Sequence, residues 1–536
     1  MRRVGARDDE AAHGLPLRKR LARWEERNKV VSSWLAARGK PAELGKVHPD
    51  DFFEFIPTFV TALPAGQSFS RHCFETATAS MAECGASCVE ITMDVAGKAS
   101  PLCEDLYLFG SVETFHVHEF ALAGRHRVTL RGLSPVELAD LKANGMRVFH
   151  FKSEVLADVV AFADTLAMFL QGNLPIGPPD VSAHEAALNV AFLEEKMQIT
   201  LEPRDAGLVN MSQIVPTLEN GDFFGIIRLD GLDPMIAWGM GSLLTGHTVA
   251  VWKPSVPTTV NGVTYPPGVY ITESQTKSHY WPVNLIQINP IDKWIEMAHA
   301  ASYNVVHLPL KPAVRAALNE SAMAAYLDEV VGTVYGFANF LVGWIDSPDD
   351  NYPEPLSLQL VGIVFALLEK ISPPTAELMW NQMLNHRLNT TGLDCYQLYA
   401  EMAARNLSLG AVLSIPEQDD WRYLMPGWAH PDKPIPASVC DVHVCRFLKA
   451  GGAFGSLTPH IQCTEFTNWD VYSLDFYDPT PARPQTCVDA DPDAPLCQLM
   501  GTIKQPLHMA GSVTPYPHMR EHCGGIAPNY YWGQKC

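Results

Sequence analysis

One segment of the chain places a cysteine where a nucleophile would be activated. Apolar residues recur with helical spacing after Cys440 and stop at the glycine pair 451–452, and Ser438 with Asp441 resembles a capping box. The sequence therefore predicts a helix that has Cys440 in its first turn. The unpaired amides and the dipole of a helix start favour a thiolate and can bind an oxyanion, so we expect a lowered pKa for this thiol. The alternative is that Cys440 is one more disulfide partner.

A histidine and a glutamate lie in two apolar segments that precede this helix. His247 enters one predicted strand and Glu273 ends the next, with an Asn-Gly turn signal between them. In a hairpin that pairs Trp252 with Gly268, His247 lies opposite Glu273, and directly opposed Cβ atoms are about 4.5–5.5 Å apart. The carboxylate would then fix the imidazole tautomer while the other ring nitrogen faces the thiol. Taken singly, His247 is typical of a buried strand histidine and Glu273 of a solvent-exposed strand end.

The cysteines indicate a disulfide-bonded protein with two free thiols. None of the twelve forms a Cys-x-x-Cys pair, which argues against a zinc ribbon and favours an oxidising compartment. Setting Cys440 and Cys395 aside leaves an even number near each end of the chain. Cys395 also starts a predicted helix and is the rival nucleophile, although choosing it would leave an odd C-terminal set. The residues expected to form five bridges are Cys73, Cys84, Cys88, Cys103, Cys445, Cys463, Cys487, Cys497, Cys523 and Cys536.

Composition and charge exclude several classes of protein. With 47% hydrophobic and 18% charged residues the chain is globular, and its formal net charge of −20 argues against nucleic acid or anionic lipid as the main partner. No run of apolar residues is long enough to predict a membrane span.

We expect a secreted or lumenal (for example lysosomal) protein, although the first forty residues show no signal peptide; the alternatives are a start elsewhere or a cytoplasmic location. Glycosylation sequons occur at Asn210, Asn319, Asn389 and Asn406.

The hydrophobic patterns divide the chain into five predicted parts. These are a basic helical arm (1–50), a β-rich accessory domain with the first cysteine cluster (51–172), a helical connector (173–220), an α+β catalytic domain (221–477) and a Cys/Pro-rich tail packed on it through disulfides (478–536). A helix is predicted over 153–171. His116 and His118 share one face of a predicted strand, where surface histidines are the main interpretation and a metal site is the alternative.

The order of the motifs resembles the circularly permuted papain-like cysteine peptidases and amidases, in which the histidine precedes the cysteine. The helix of that family reads Cys-Ser-Glu-Leu-Val and then Lys-x-Ala-Gly. This chain has Cys440-Asp-Val-His-Val and then Lys449-Ala-Gly, in which the spacing from lysine to alanine is one residue shorter. Gly332-Thr-Val-Tyr335-Gly is similar to the Gly-x-x-Tyr segment that helps to shape the family's site. The resemblance covers about 220–455 and implies a papain-like α+β fold and attack on an amide or ester carbonyl.

Together these features predict a thiol-dependent hydrolase, a peptidase or amidase with acyl transfer as a variant. Cys440 would attack the carbonyl, His247 would move the proton and Glu273 would orient His247, without a metal or an organic cofactor. The substrate would be a peptide, an amide or a lipid amide, bordered by the segments 253–267 and 277–284. The alternative is a non-catalytic, disulfide-rich binding or structural glycoprotein on a papain-like scaffold. Core packing is expected for Trp281, Trp294 and Trp344.

Overall fold

The computed structural model describes most of the chain after residue 57. The described residues are 58–64, 68–69, 74–98, 105–110, 115–120, 122–133, 135–151, 181, 183–197, 200–239, 245–276, 285–340, 358–413, 415–425, 427–507 and 509–517. Several predictions therefore concern residues outside these ranges, namely the arm 1–50, the helix 153–171, the segment 277–284, Cys73, Cys103, Cys523, Cys536, Trp281 and Trp344.

The described residues combine sheets and helices, as predicted for an α+β protein. The strands are β1 (Thr58–Leu63), β2 (Phe74–Gly85), β3 (Cys88–Lys98), β4 (Asp105–Gly110), β5 (Phe115–Phe120), β6 (Gly124–Arg131), β7 (Met146–His150), β8 (Phe223–Arg228), β9 (His247–Trp252), β10 (Thr258–Val260), β11 (Val263–Tyr265), β12 (Tyr270–Gln275), β13 (Leu285–Pro290), β14 (Tyr303–Leu308) and β15 (Cys497–Met500).

The helices are numbered in the same way, from the N-terminus to the C-terminus. They are α1 (Pro135–Asn144), α2 (Ala183–Met197), α3 (Met211–Ile214), α4 (Leu232–Gly239), α5 (Ile291–Ala300), α6 (Pro312–Ala317), α7 (Glu320–Val330), α8 (Leu358–Ile371), α9 (Pro373–Ala376), α10 (Gln382–Leu388), α11 (Cys395–Ala404), α12 (Leu409–Leu413), α13 (Cys440–Ala450), α14 (Asn468–Ser473) and α15 (Gln485–Ala490). No helix among the described residues is long and apolar enough to cross a membrane.

Residues 58–151, together with α8, belong to the first of two compact units. Two antiparallel sheets, ordered β1-β7-β4-β5 and β2-β3-β6, share one hydrophobic core. Ile91 and Met93 enter that core from one sheet and Phe109 and Val148 from the other, because every second residue of a strand points to the same face. A disulfide between Cys84 and Cys88 closes the β2–β3 hairpin.

The second unit is built on a six-stranded sheet that is antiparallel throughout. Its strand order is β13-β12-β9-β8-β14-β15, and five of its strands, all but β13, are buried along their whole length. Helix α5 packs Trp294 into the core on one face of this sheet. Helix α13 lies on the other face, where His443 contacts Thr272. Coverage of both faces explains why these strands read as continuous apolar runs.

The pairing of β9 with β12 differs from the prediction by two residues. Trp252 pairs with Tyr270 rather than with Gly268, and the ladder stops at Ala250 and Thr272. In this register His247 would face Gln275, so the predicted direct opposition with Glu273 is wrong. A shift of two residues keeps every side chain on its own face, and His247 and Glu273 therefore remain diagonal neighbours.

The C-terminal tail joins the same sheet. Strand β15 pairs with β14, and Leu499 and Met500 enter the core beside Trp294. The disulfide of this segment, Cys487–Cys497, links two residues of the tail itself. Backbone pairing and apolar burial therefore attach this part of the tail, in place of the disulfides to the preceding region that the sequence suggested.

The cysteines of the described residues divide as the sequence predicts. Cys84–Cys88, Cys445–Cys463 and Cys487–Cys497 are disulfides, and Cys395 and Cys440 are free and buried.

N-ethylmaleimide added to the unfolded, unreduced protein should modify Cys395 and Cys440 and leave the six bridged cysteines unmodified. Only a free thiol supplies the thiolate that reacts. Peptide mapping by mass spectrometry gives the result, and reduction before labelling serves as the control because it should expose all eight. A disulfide-linked peptide that contains Cys440 would contradict the assignment.

Candidate active site

Helix α13 begins at the candidate nucleophile. Cys440 is its first residue, Val439 is the N-cap, and no side chain caps the helix. The predicted capping box is wrong because the hydroxyl of Ser438 accepts a hydrogen bond from Arg446 (2.7 Å) and does not cap the helix. The first amides of a helix have no partner within it, but here the Val442 N–H donates to Oδ1 of Asp441 (2.8 Å), and the Asp441 amide binds its own carboxylate and the Cys440 sulfur.

Buried contacts fix the start of this helix against the sheet. Ser274 on β12 donates a hydrogen bond to the carbonyl oxygen of Ser438 (2.7 Å), and Arg446 donates to the carbonyl oxygen of Ala437 (3.1 Å). The Cys445–Cys463 disulfide ties the same helix to the segment that follows it. The thiol is therefore held by interactions at three points rather than by its helix alone.

His247 is the first residue of β9, and Glu273 lies on β12. The Nε2 atom of His247 is 3.7 Å from Oε2 of Glu273, and the carboxylate is fully buried. This distance suits an ion pair with a protonated imidazole but exceeds a hydrogen bond, so Nε2 has no hydrogen-bond partner among the described residues. The pair thus stands in the arrangement of a base and its orienting carboxylate, with a small movement needed to close the contact.

Three neutral donors hold the Glu273 carboxylate in place. Trp294 Nε1 donates to Oε2 (3.0 Å), and the side-chain amides of Gln287 and Asn289 donate to Oε1 (3.2 Å each). Gln287 stands directly opposite Glu273 on β13, which explains how the sheet register supplies a donor. Trp294 packs in the core, as the sequence predicts. Its indole N–H also fixes the orientation of the Glu273 carboxylate toward His247.

The sulfur of Cys440 lies in a polar cage within the protein. Its S–H donates to Oδ1 of Asn468 (3.6 Å), and Asn468 is oriented by donating to the carbonyl oxygen of Thr245 (3.2 Å). The backbone amide of Thr248, next to His247, donates to the sulfur, and Tyr335 also contacts it through its hydroxyl. The thiol therefore meets groups from β9, α14 and the Tyr335 segment.

A glycine allows Tyr335 to approach the thiol. Gly336 donates its backbone N–H to the carbonyl oxygen of Ser438 (3.1 Å), and a Cβ at this position would lie 2.1 Å from the backbone nitrogen of Ser438. Only a residue without a side chain permits such contact between two backbones. The Gly-x-x-Tyr-Gly pattern thus has a physical reason here, because its last glycine lets Tyr335 reach Cys440.

The pKa of the Cys440 thiol is raised, and the sequence-based expectation of a lowered value is wrong. Burial is the main cause, the neighbouring Asp441 carboxylate adds to it, and the amides of Thr248 and Asp441 oppose it. Burial also raises the pKa of Asp441 to about 7. Cys440 is therefore a neutral thiol at rest, and it needs a base before it can attack.

Two cavities meet at Cys440. The first, which we call the His cavity, is also lined by His247, Gln275 and Tyr303, and it opens where β9 and β12 no longer pair. The second, the Asn cavity, is lined by Asn339, by Cys440 and its neighbours within 439–442, and by residues of the segment 464–467. Tyr335 lines both cavities, so a substrate that reaches the sulfur can extend to either side of it.

The remaining sequence candidates lie elsewhere. Cys395 begins α11 behind a capping box of Asp394 and Gln397, is fully buried, and contacts Tyr399. It lines neither cavity, which favours a packing role. Among the described residues, none of 253–267 lines either cavity, in contrast to the expected role of that loop.

Two functional candidates escaped the sequence analysis. Asn468 and Asn339 each reach Cys440 or its cavity from segments distant in the chain. A capping pattern, Thr467 with Asp470, marks the start of the Asn468 helix, but it carries no sign of contact with a cysteine. Within the described part of the chain, no group of three or more His, Cys, Asp or Glu residues is arranged to hold a metal ion, and His116 and His118 stack with ring centroids 5.9 Å apart.

Comparison of the chain with protein-family models, with curated proteins and with solved structures gives no match.

Replacement of the buried carboxyl beside the thiol, Asp441→Asn, should change how stability depends on pH. Folding raises this pKa from an ordinary 3.8 to about 7, so the folded protein holds the proton more tightly than the unfolded chain does. The carboxyl therefore destabilises the wild type progressively as the pH rises from about 4 to about 7. The gain in unfolding free energy of the variant over the wild type should grow across this range and then level off.

Urea denaturation at a series of pH values measures this difference. The neutral His443, whose pKa is lowered to about 3 by burial, acts in the opposite direction but is common to both proteins and cancels. The exposed Asp432→Asn substitution is the matched control and should show no such trend. A gain that does not depend on pH would contradict a raised pKa at Asp441.

Proposed function

We propose that this protein is a thiol-dependent hydrolase, a peptidase or amidase on a permuted papain-like scaffold. The observation that carries the proposal is that Cys440 and His247 line one cavity while the Glu273 carboxylate lies 3.7 Å behind the imidazole. Glu273 faces α5 while α13 packs on the other face of the sheet, so the imidazole and the thiol would meet beyond the end of the β9–β12 pairing, at the His cavity.

The proposed reaction begins with proton transfer. Because the thiol is neutral at rest, His247 takes its proton as the sulfur forms a bond to the substrate carbonyl carbon. Glu273 stabilises the resulting imidazolium and holds its orientation. The carbonyl oxygen, now negative, would be stabilised by the amide of Cys440 itself and by the positive end of the helix dipole.

Collapse of this intermediate completes acylation. His247 returns the proton to the leaving nitrogen or oxygen, the bond from carbon to that atom breaks, and a thioester to Cys440 remains. Water then attacks the thioester, passing a proton to His247, and the acid leaves as the thiol is restored. An amine or alcohol in place of water would make the same site an acyltransferase.

Tyr335 fits a supporting role at the oxyanion. Burial, and after it the neighbouring Cys440 sulfur, raise the pKa of Tyr335 well above its ordinary value. Its hydroxyl therefore keeps its proton and can donate a hydrogen bond beside the sulfur, where negative charge develops on the substrate.

We also propose a secreted or lumenal location. Three disulfides among the described residues are typical of an oxidising compartment. Asn210, which lies in one of the glycosylation sequons, has an exposed side chain. Its Oδ1 accepts a hydrogen bond at the N-cap of α3, so the side chain already has a structural role.

The second candidate function is a non-catalytic binding or structural protein on the same scaffold. The raised pKa of Cys440 favours it, because a buried neutral thiol without an effective base is inert. The two functions differ in whether Cys440 becomes acylated by a reactive ester.

p-Nitrophenyl acetate should transfer one acetyl group to Cys440 and release p-nitrophenolate. His247→Ala should slow this step about 10²-fold or more, since general-base assistance contributes at least that much. Stopped-flow absorbance gives the rate, and peptide mapping locates the acetyl group. Cys395→Ala, which removes the other buried free thiol, is the matched control and should retain the wild-type rate. Acetylation elsewhere, or none, would favour the binding protein.

Glu273→Gln should reduce the acetylation rate and also the free energy of unfolding. The new amide group would point a donor at Trp294 Nε1, which itself donates, and an unpaired buried donor costs about 1–3 kcal/mol. In the Trp294→Phe background that conflict is absent, so the stability cost of Glu273→Gln should shrink while its loss of rate persists. A rate that recovers together with stability would show that Glu273 acts only in folding.

A further inference from the structure

Asn339 is one of the residues that line the Asn cavity, and both polar atoms of its side chain are buried and unpaired among the described residues. It is 2% exposed, and neither Oδ1 nor Nδ2 has a hydrogen-bond partner among the described residues. Buried polar groups are almost always paired, and a group left unpaired is costly. An unpaired carboxamide in a cavity that touches the candidate nucleophile therefore points to a ligand that supplies both partners.

The backbone holds Asn339 in a fixed position relative to the thiol. Asn339 ends a 3₁₀ turn, Phe337–Asn339, and its backbone N–H donates to the carbonyl oxygen of Gly336 (3.1 Å). Gly336 is in turn bound to Ser438, two residues before Cys440. The amide is thus attached to the same rigid contact that brings Tyr335 to the sulfur.

The two cavities have different chemical roles if the proposed reaction holds. The leaving group must lie beside His247, because the imidazole returns a proton to it. His247 lines the His cavity and not the Asn cavity. The acyl part of the substrate therefore occupies the Asn cavity, where Asn339 meets it.

We propose that Asn339 binds the backbone of an extended peptide on the acyl side of the scissile bond. This inference rests on the proposed function and narrows its substrate class. In an extended chain the N–H and C=O of one residue point to the same side, so a single carboxamide can accept from one and donate to the other. A lipid acyl chain offers neither group and would leave Asn339 unpaired.

One part of the wall of the Asn cavity is apolar and suits a small apolar side chain of such a peptide, and the rest includes Asp441, Thr464 and Thr467. The apolar part is formed by Ile236, Val439 and Phe466. Asn339 would bind the N–H and the C=O of the peptide residue that precedes the residue carrying the scissile carbonyl. A peptide, and not an isolated ester or a lipid amide, satisfies both the apolar wall and the carboxamide.

Two esters that differ in one group test the proposal. The first is N-acetyl-Ala-Ala p-nitrophenyl ester, and the second has an ester oxygen in place of the N–H of its first alanine. Wild-type protein should prefer the first by about tenfold in kcat/KM, the value of one hydrogen bond to an otherwise unpaired group. Asn339→Leu should reduce this ratio to about one, and because it removes an unpaired amide it should not lower Tm.

Ile236→Val is the matched control, since it alters the cavity without removing a polar group; both rates should fall and the ratio should remain. A wild-type ratio of about one, or a ratio unchanged by Asn339→Leu, would overturn the inference while leaving the hydrolase intact. A clear fall in Tm for Asn339→Leu would overturn it as well, because the amide would then be structural. Release of p-nitrophenolate no faster than from Cys440→Ala would reject the proposed function and this inference together.

Discussion

The buried carboxylate of Glu273 is the constraint on which the geometry of the candidate site depends. A carboxylate taken out of water must find hydrogen bonds in the protein, or it is expelled or protonated. Here β13 and α5 supply three neutral donors, and the imidazole of His247 lies at 3.7 Å on the remaining side. The sheet register, the packing of Trp294 and the position of His247 are therefore parts of one arrangement that keeps this charge buried.

The same burial decides how the thiol can react. A cysteine at a helix start gains from the helix dipole, but Cys440 is enclosed and stands beside the Asp441 carboxylate, and both raise its pKa. The Cys440 thiol is thus neutral at rest, and in the proposed reaction it becomes nucleophilic when His247 removes its proton. The proposed reaction therefore depends on the histidine, because an isolated thiol of this kind would be inert.

The sequence predicts the parts of the site that depend on local pattern. The helix start at Cys440, the strands of His247 and Glu273, and the two free thiols all follow from spacing and counting. The register of β9 with β12 was wrong by two residues, yet the error preserved side-chain parity and hence the pair.

The remainder depends on contacts between distant segments, which no local pattern records. Ser438 was predicted to cap the helix, but Arg446, about two turns into the helix, binds it instead. The sign of the pKa shift at Cys440 depends on burial by the sheet and by α14. Asn339 is recognisable only once the cavity exists, since its sequence neighbours give no sign that its amide lacks a partner.

The rate at which iodoacetamide alkylates Cys440 in the native protein, compared between wild type and His247→Ala from pH 5 to pH 9, tests the central claim most directly. If the imidazole serves as the base for this sulfur, wild-type Cys440 should react at least about tenfold faster than the variant near neutral pH, and the difference should persist to pH 9, because the raised pKa keeps the variant's thiol neutral there. Equal rates at every pH would contradict the account, because the sulfur would then be independent of His247.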